Sequence, residues 1–184
     1  MLSTGSLMLF TATKLPGAFL VSPRKIEDDR GFFARGWCTE EFAQHGLAAT
    51  MVQLNTSFSR KRGTLRGLHY QLPPHAEAKF VRCTRGAIFD VIVDLRRDSP
   101  THTQWIGAEL TADNGLMLYV PEGCAHGYLT LADDTEAYYL TSSLYAPAAA
   151  RGAHYNDPAF GIAWPEPVAM ISDADDSWPA YRLE

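Results

Sequence analysis

The strongest constraint on the fold of this chain is the run of short, turn-punctuated strands that fills its middle. Residues 87–95 give the clearest one: Ala87, Phe89, Val91, Val93 and Leu95 alternate onto one face, with Asp90 and Asp94 on the other. Further strands are predicted over residues 52–58, 64–72, 80–84, 105–110, 117–120, 127–131 and 137–144. Between them stand turn formers: Pro73-Pro74, Arg85-Gly86, Ser99-Pro100, Asn114-Gly115 and Pro121-Glu122-Gly123. Many short strands at regular spacing, with little helical periodicity, specify an all-β sandwich or barrel. One helix is predicted over residues 39–45, with Thr39 as its cap ahead of Glu40 and Glu41. No repeat or linker divides the chain, so a single domain over residues 1–184 is expected. Its N-terminal arm covers about residues 1–20, and a C-terminal loop and helical segment covers about 150–184.

Composition narrows the function classes. A hydrophobic content of 46% with 20% charged residues suits a packed core and not a disordered chain. The formal net charge of -5 speaks against a nucleic-acid partner, and the one tight basic cluster, Arg60-Lys61-Arg62, reads as a solvated turn. Cys38, Cys83 and Cys124 are too few and too scattered for a disulfide framework or a zinc site. The opening stretch from Met1 to Phe10 lacks the basic region and cleavage site of a signal peptide. No stretch approaches the ~20 apolar residues of a membrane span. A cytoplasmic protein without a membrane partner is the expectation.

Two segments carry the chemistry. Arg66-Gly67-Leu68-His69-Tyr70-Gln71 places His69 on a strand, and Pro121-Glu122-Gly123-Cys124-Ala125-His126-Gly127-Tyr128 brings a second histidine after a turn. A strand histidine paired with Pro-x-Gly-x-x-His is the sequence mark of the cupin barrels, so the fold predicted is a cupin-type double-stranded β-helix (jelly roll) with short peripheral helices. Metal-binding cupins have His-x-His in the first segment. Here the second position is Gln71, an amide and a poor ligand, and only Glu77 could add a carboxylate if its loop turns inward. This argues against a metal and leaves His69 as a general base near neutral pH. Such a base needs an orienting carboxylate, for which Asp173, Asp175 and Asp176 all qualify, and a stabiliser for the enolate, for which Lys79 is the nearby cation. A proton donor is available in Tyr138 or Tyr139, of which alternation lets only one enter the barrel. Gln53, Asn55 and Ser57 share a face that suggests a polar pocket. Arg66 has the opposite parity to His69, so both reach one pocket only through a bulge at Gly67 or through contact with another chain.

From about Gly17 to Asp176 these residues resemble the dTDP-4-dehydrorhamnose 3,5-epimerases of deoxysugar nucleotide biosynthesis. The likeness rests on Asp29-Arg30-Gly31-Phe32-Phe33, Gln53-x-Asn55-x-Ser57, the His69 segment and Lys79-Phe80-Val81-Arg82. It continues through residues 90–96, Ser99-Pro100, the His126 segment, Asp157-Pro158 and Trp164-Pro165. The resemblance implies a metal-free homodimeric cupin that uses no cofactor. It would invert the stereocentres beside the C4 ketone of a dTDP-linked 4-keto-6-deoxyhexose, as in dTDP-rhamnose and lipopolysaccharide biosynthesis. On that basis His69 is the proton acceptor, Asp175 its orienting carboxylate, Tyr139 the proton donor and Lys79 the lysine near the C4 oxygen. His126 contacts substrate, Arg66 meets the diphosphate, and Gln53 and Asn55 lie on the nucleotide side. Tyr145 stacks on the thymine, and Arg30 is lent by the neighbouring subunit.

The departures from the family pattern are Arg35 in place of a usual glutamate, Ala150 in place of an acidic residue, and Ala174 and Leu140 in place of lysines. Cys124 stands where phenylalanine is usual. A C3-only epimerase, a 3,4-ketoisomerase, a sugar-nucleotide binding module and a metal cupin are the competing readings.

Overall fold

A computed structural model describes residues 6–182 of the chain; the outermost parts of the expected arm and tail, and with them half of the stretch weighed as a signal peptide, lie outside the described residues. In chain order, β1 (Met8–Ala12), β2 (Phe19–Pro23), β3 (Ile26–Asp28) and β4 (Gly31–Phe33) precede helix α1 (Thr39–Gln44). Then come β5 (Gln53–Ser59), β6 (Leu65–Gln71), β7 (Lys79–Arg85), β8 (Ala87–Asp94) and β9 (Trp105–Thr111). The chain ends with β10 (Met117–Val120), β11 (Cys124–Thr130), β12 (Thr135–Thr141), β13 (Ala150–Gly152) and helix α2 (Asp173–Asp176). One sheet has the order β1-β2-β10-β7-β12-β5 and the other β13-β6-β11-β8-β9, with antiparallel pairing within each. The two sheets face one another as a cupin-type jelly roll. The short β3–β4 hairpin stands apart from both.

The alternation along β8 is buried on both sides. Ile88 and Ile92 enter the core between the sheets with Val81, Leu110, Leu118 and Ala137. Val91 and Val93 pack outward against Phe160 and Trp164, because the C-terminal segment is folded over that face. Asp90 and Asp94 therefore point into the molecule, and both are fully buried. Asp94 is satisfied by Arg96, Ser99 and Thr101. Burial pushes its carboxyl up, but these donors outweigh it and hold the group well below the usual carboxylate range. On the outer face of the six-stranded sheet, α1 docks Phe42 against Met8, Val21, Phe80 and Tyr119.

Several features differ from the sequence-based expectations, among them the start of β11 at Cys124 where residue 127 is expected. The N-cap of α1 is Cys38, without a side-chain cap bond, and Thr39 is the first helical residue. The strand expected over 137–144 begins at Thr135 and ends at Thr141. Strands β1 to β4 and β13 were not anticipated. The β3–β4 hairpin is exposed on both faces, so it carries no burial period to detect. The Arg60-Lys61-Arg62 cluster is a surface turn between β5 and β6, with Lys61 3.8 Å from Asp133 and Arg62 paired to Glu166.

Candidate active site

Strand β6 lies beside β11, and their register changes in mid-course. His69 is opposite His126, yet Arg66 is opposite Tyr128, so three steps on β6 match two on β11. The extra residue falls at Gly67–Leu68, which makes this a β-bulge. Gly67 adopts φ +130°, and a Cβ there would lie 2.5 Å from the Gly127 Cα. Only glycine allows the strands to approach this closely. Because of the bulge, Arg66 and His69 line the same cavity despite their opposite parity.

Two adjoining cavities share His69, Lys79, Tyr139 and Asp175. The inner one, about 360 Å³, adds Ser57, Arg66, His126 and Tyr128. The outer one, about 460 Å³, adds Gln53, Asn55, Tyr145, Ala150, Arg151 and Ala174.

His69 Nε2 lies 2.6 Å from Asp175 Oδ1. Helix α2 presents that carboxylate, with Ser172 as its cap accepting from the Asp175 N–H. The other oxygen, Oδ2, accepts from the Gly67 N–H at 3.3 Å, so the bulge also helps to seat the carboxylate. Burial pushes the Asp175 carboxyl up, while the bonds from His69 and Gly67 outweigh it and keep the group below its ordinary range. Of the other two aspartates, Asp173 is exposed and Asp176 turns to His154 at 3.6 Å. Trp178 lies flat over Gly152 and edge-on to His69, with ring centroids 6.4 Å apart.

Lys79 is nearly buried, contrary to the ordinary expectation for a lysine at a strand start. Its ammonium donates to the His69 carbonyl at 3.2 Å and pairs with Glu77 Oε1 at 3.2 Å. Burial pushes the ammonium down from its usual range, with Glu77 and Asp90 opposing. His126 Nε2 is 2.8 Å from Asp90 Oδ1, a second histidine–carboxylate pair inside the barrel. Tyr139 lines both cavities, and Tyr138 faces outward at 38% exposure. Burial pushes the Tyr139 hydroxyl up and Glu77 adds to this, against an opposing effect of Arg66, so the phenol is protonated at neutral pH.

Toward the open end, Gln53 Nε2 donates to Asn55 Oδ1 at 2.8 Å, and Tyr145 is 66% exposed at the rim. Arg66 is braced by Ser59 and the Phe58 carbonyl. Arg30 lines neither cavity: it lies on the exposed β3–β4 turn and clasps Asp28 at 2.6 Å. Arg35 is likewise remote, with its guanidinium 3.0 Å from Glu41, which also holds the Leu7 and Met8 N–H groups. Leu140 packs on the outer face beneath α1. Cys124 is buried in the core, and burial pushes its thiol up to about 12. Among the described residues, no group of three His, Cys, Asp or Glu side chains could hold a metal ion. No helix among them is long and apolar enough to cross a membrane.

Sequence reasoning missed Tyr128, Asp90 and the inward role of Glu77. Tyr128 was detectable, since it follows His126 by two residues on the same face of β11. Its hydroxyl meets Ser57 Oγ at 2.6 Å. From sequence, Glu77 stands out only as a possible metal ligand.

Comparison with known proteins shows the family of the chain. The profile of the dTDP-4-dehydrorhamnose 3,5-epimerase family matches residues 12–182. The chain is 43% identical over 174 residues to a Sinorhizobium fredii dTDP-4-dehydrorhamnose 3,5-epimerase, covering 94% of this chain and 89% of that one. It resembles the crystal structure of the Bacillus anthracis enzyme with TDP and PPi bound, with TM-score 0.91, 41% identity and coverage of 95% and 99%. A Legionella pneumophila dTDP-6-deoxy-D-glucose-3,5-epimerase in complex with dTDP-4-keto-L-rhamnose is similar at TM-score 0.86, 32% identity and coverage of 95% and 99%.

Proposed function

Since the chain belongs to the dTDP-4-dehydrorhamnose 3,5-epimerase family, we propose that it inverts C3 and C5 of a dTDP-linked 4-keto-6-deoxyhexose. The observation that carries this reading is the His69–Asp175 pair, 2.6 Å apart, on a cavity that also holds Lys79 and Tyr139. With its Nε2–H donated to Asp175, His69 keeps the Nδ1 lone pair for a proton α to the ketone. Lys79 then faces the enolate oxygen, and Tyr139 delivers a proton to the opposite face of the ring. The ketone itself acidifies both carbons. His126 contacts the sugar, Arg66 the diphosphate, Gln53 and Asn55 the nucleotide side, and Tyr145 the base.

The experiment is incubation of the protein with dTDP-4-keto-6-deoxyglucose in deuterated water, followed by NMR of the hexose. Deuterium at C3 and C5 is expected. Incorporation at neither carbon would sink the epimerase assignment, and incorporation at C3 alone would make it a C3-epimerase.

The reading includes a cytoplasmic homodimer of one cupin domain per chain. Free cysteines at Cys38, Cys83 and Cys124 support the compartment. The exposed hairpin supports the dimer: Phe32 and Phe33 are 55% and 54% exposed, beside an Arg30 that serves neither cavity of its own chain. Light scattering should give twice the 20.3 kDa chain mass. Arg30→Ala should raise KM about tenfold or more at unchanged kcat; a monomeric mass or an unchanged KM would count against the shared site.

A further inference from the structure

An ammonium has three N–H donors. In Lys79 two are taken, by the His69 carbonyl and by Glu77 Oε1, which leaves the third for the cavity. Glu77 is itself held in place. Its other oxygen accepts from Gln71 Nε2 at 3.2 Å. Gln71 is nearly buried and reaches further: its two N–H groups are shared among Glu77, the His75 carbonyl at 3.0 Å and the Leu144 carbonyl at 3.2 Å, and its Oε1 accepts from the Ala146 N–H at 2.7 Å. The Leu144 and Ala146 backbone groups flank Tyr145 at the rim of the outer cavity. A continuous hydrogen-bonded chain therefore runs from the Tyr145 loop through Gln71 and Glu77 to the Lys79 ammonium.

We propose that Glu77 is a positioning residue that aims the third N–H of Lys79 at the substrate's C4 oxygen, and that Gln71 couples this aim to the seating of the Tyr145 loop. The proposal rests on the epimerase reading and goes beyond it. Binding at the open end of the cavity would be used to orient the donor at the reacting end, which raises kcat rather than affinity.

Electrostatics acts in the same direction as the geometry. Burial works against the charged lysine, and Glu77 is the nearest compensating charge. Asp90, from β8, is the second carboxylate acting on it. Around the cavity, β6 contributes His69 and Arg66, β11 His126, β12 Tyr139 and α2 Asp175. Removing the Glu77 charge lowers the pH at which Lys79 loses its proton. It also lowers that of Tyr139, whose hydroxyl Glu77 pushes up.

The test is Glu77→Gln, which keeps the shape and removes the charge. Expected results are a fall in kcat of about tenfold or more with KM within about twofold, and an alkaline limb of the kcat profile moved down by about one pH unit or more. Glu77→Asp should recover part of the loss. In a Lys79→Met background, Glu77→Gln should cost nothing further, which separates action through Lys79 from action through Tyr139. Wild-type kcat, an unmoved limb or a full additive loss in the Lys79→Met background would overturn the proposal. So would kcat and KM deteriorating together with a lowered melting temperature, the mark of a merely structural role. A wild-type protein that exchanges no deuterium would overturn the epimerase reading itself, and this proposal with it.

Discussion

His69→Ala removes solvent exchange at both carbons, slowing deuterium incorporation by about 10²–10⁴-fold at each. One base suffices for both because the C3 and C5 protons of a gluco-configured 4-ketohexose project axially from the same face of the ring. The cavity also places one histidine–carboxylate pair at the bulge, with Asp175 2.6 Å away and fixed in turn by Gly67. Removing the imidazole leaves Asp175 and Lys79 in place but takes away the lone pair proposed to receive the carbon-bound proton. The measurement is the NMR time course in deuterated water, beside a melting curve to show that the variant is folded. Exchange within a few-fold of wild type would show that another group, with His126 the first suspect, is the base.

Tyr139→Phe is expected to separate exchange from inversion. In the proposed mechanism the enolate forms through His69 and Lys79, so the variant should still wash deuterium into the sugar, with the deuterium delivered to the face that the proton left. Inversion needs an acid on the other face, and the phenol of Tyr139 is protonated at neutral pH because burial pushes it up. Losing that hydroxyl should cut product formation by about 10²–10⁴-fold while exchange falls much less. Product analysis alongside deuterium content decides the matter. Inverted product at the wild-type rate would remove Tyr139 from the donor role, and equal loss of both readouts would show that it acts before the enolate forms.

Some of this site was legible from local pattern. Strand β8 announces itself by alternation, and the His69 and His126 segments mark the two halves of the cavity through a strand histidine and a Pro-x-Gly turn. Parity excludes one of Tyr138 and Tyr139 but does not say which, since either face of β12 could be the inner one until its partner strands are known. The three aspartates near the end of the chain are indistinguishable by spacing. Asp175 is singled out because α2 docks beneath β6, across a separation of 106 residues. Arg35 stands in the sequence as a charge reversal relative to the family pattern, with nothing local to say what it faces. In the structure it braces Glu41 and the first strand, and the substitutions that line the outer cavity are Ala150 and Ala174.

By itself, then, the sequence determined that strands stand where β5 to β12 lie, though not all their ends, and which two histidines mark the cavity. These follow from turn residues and two-residue alternation, both of which act over a few positions. Only the tertiary structure decided that Arg66 and His69 share a cavity, that Lys79 is buried against Glu77, and that Asp175 stands within hydrogen-bond reach of His69. Each of these depends on a register shift at Gly67 or on the packing of segments far apart in the chain, and neither leaves a period in the sequence.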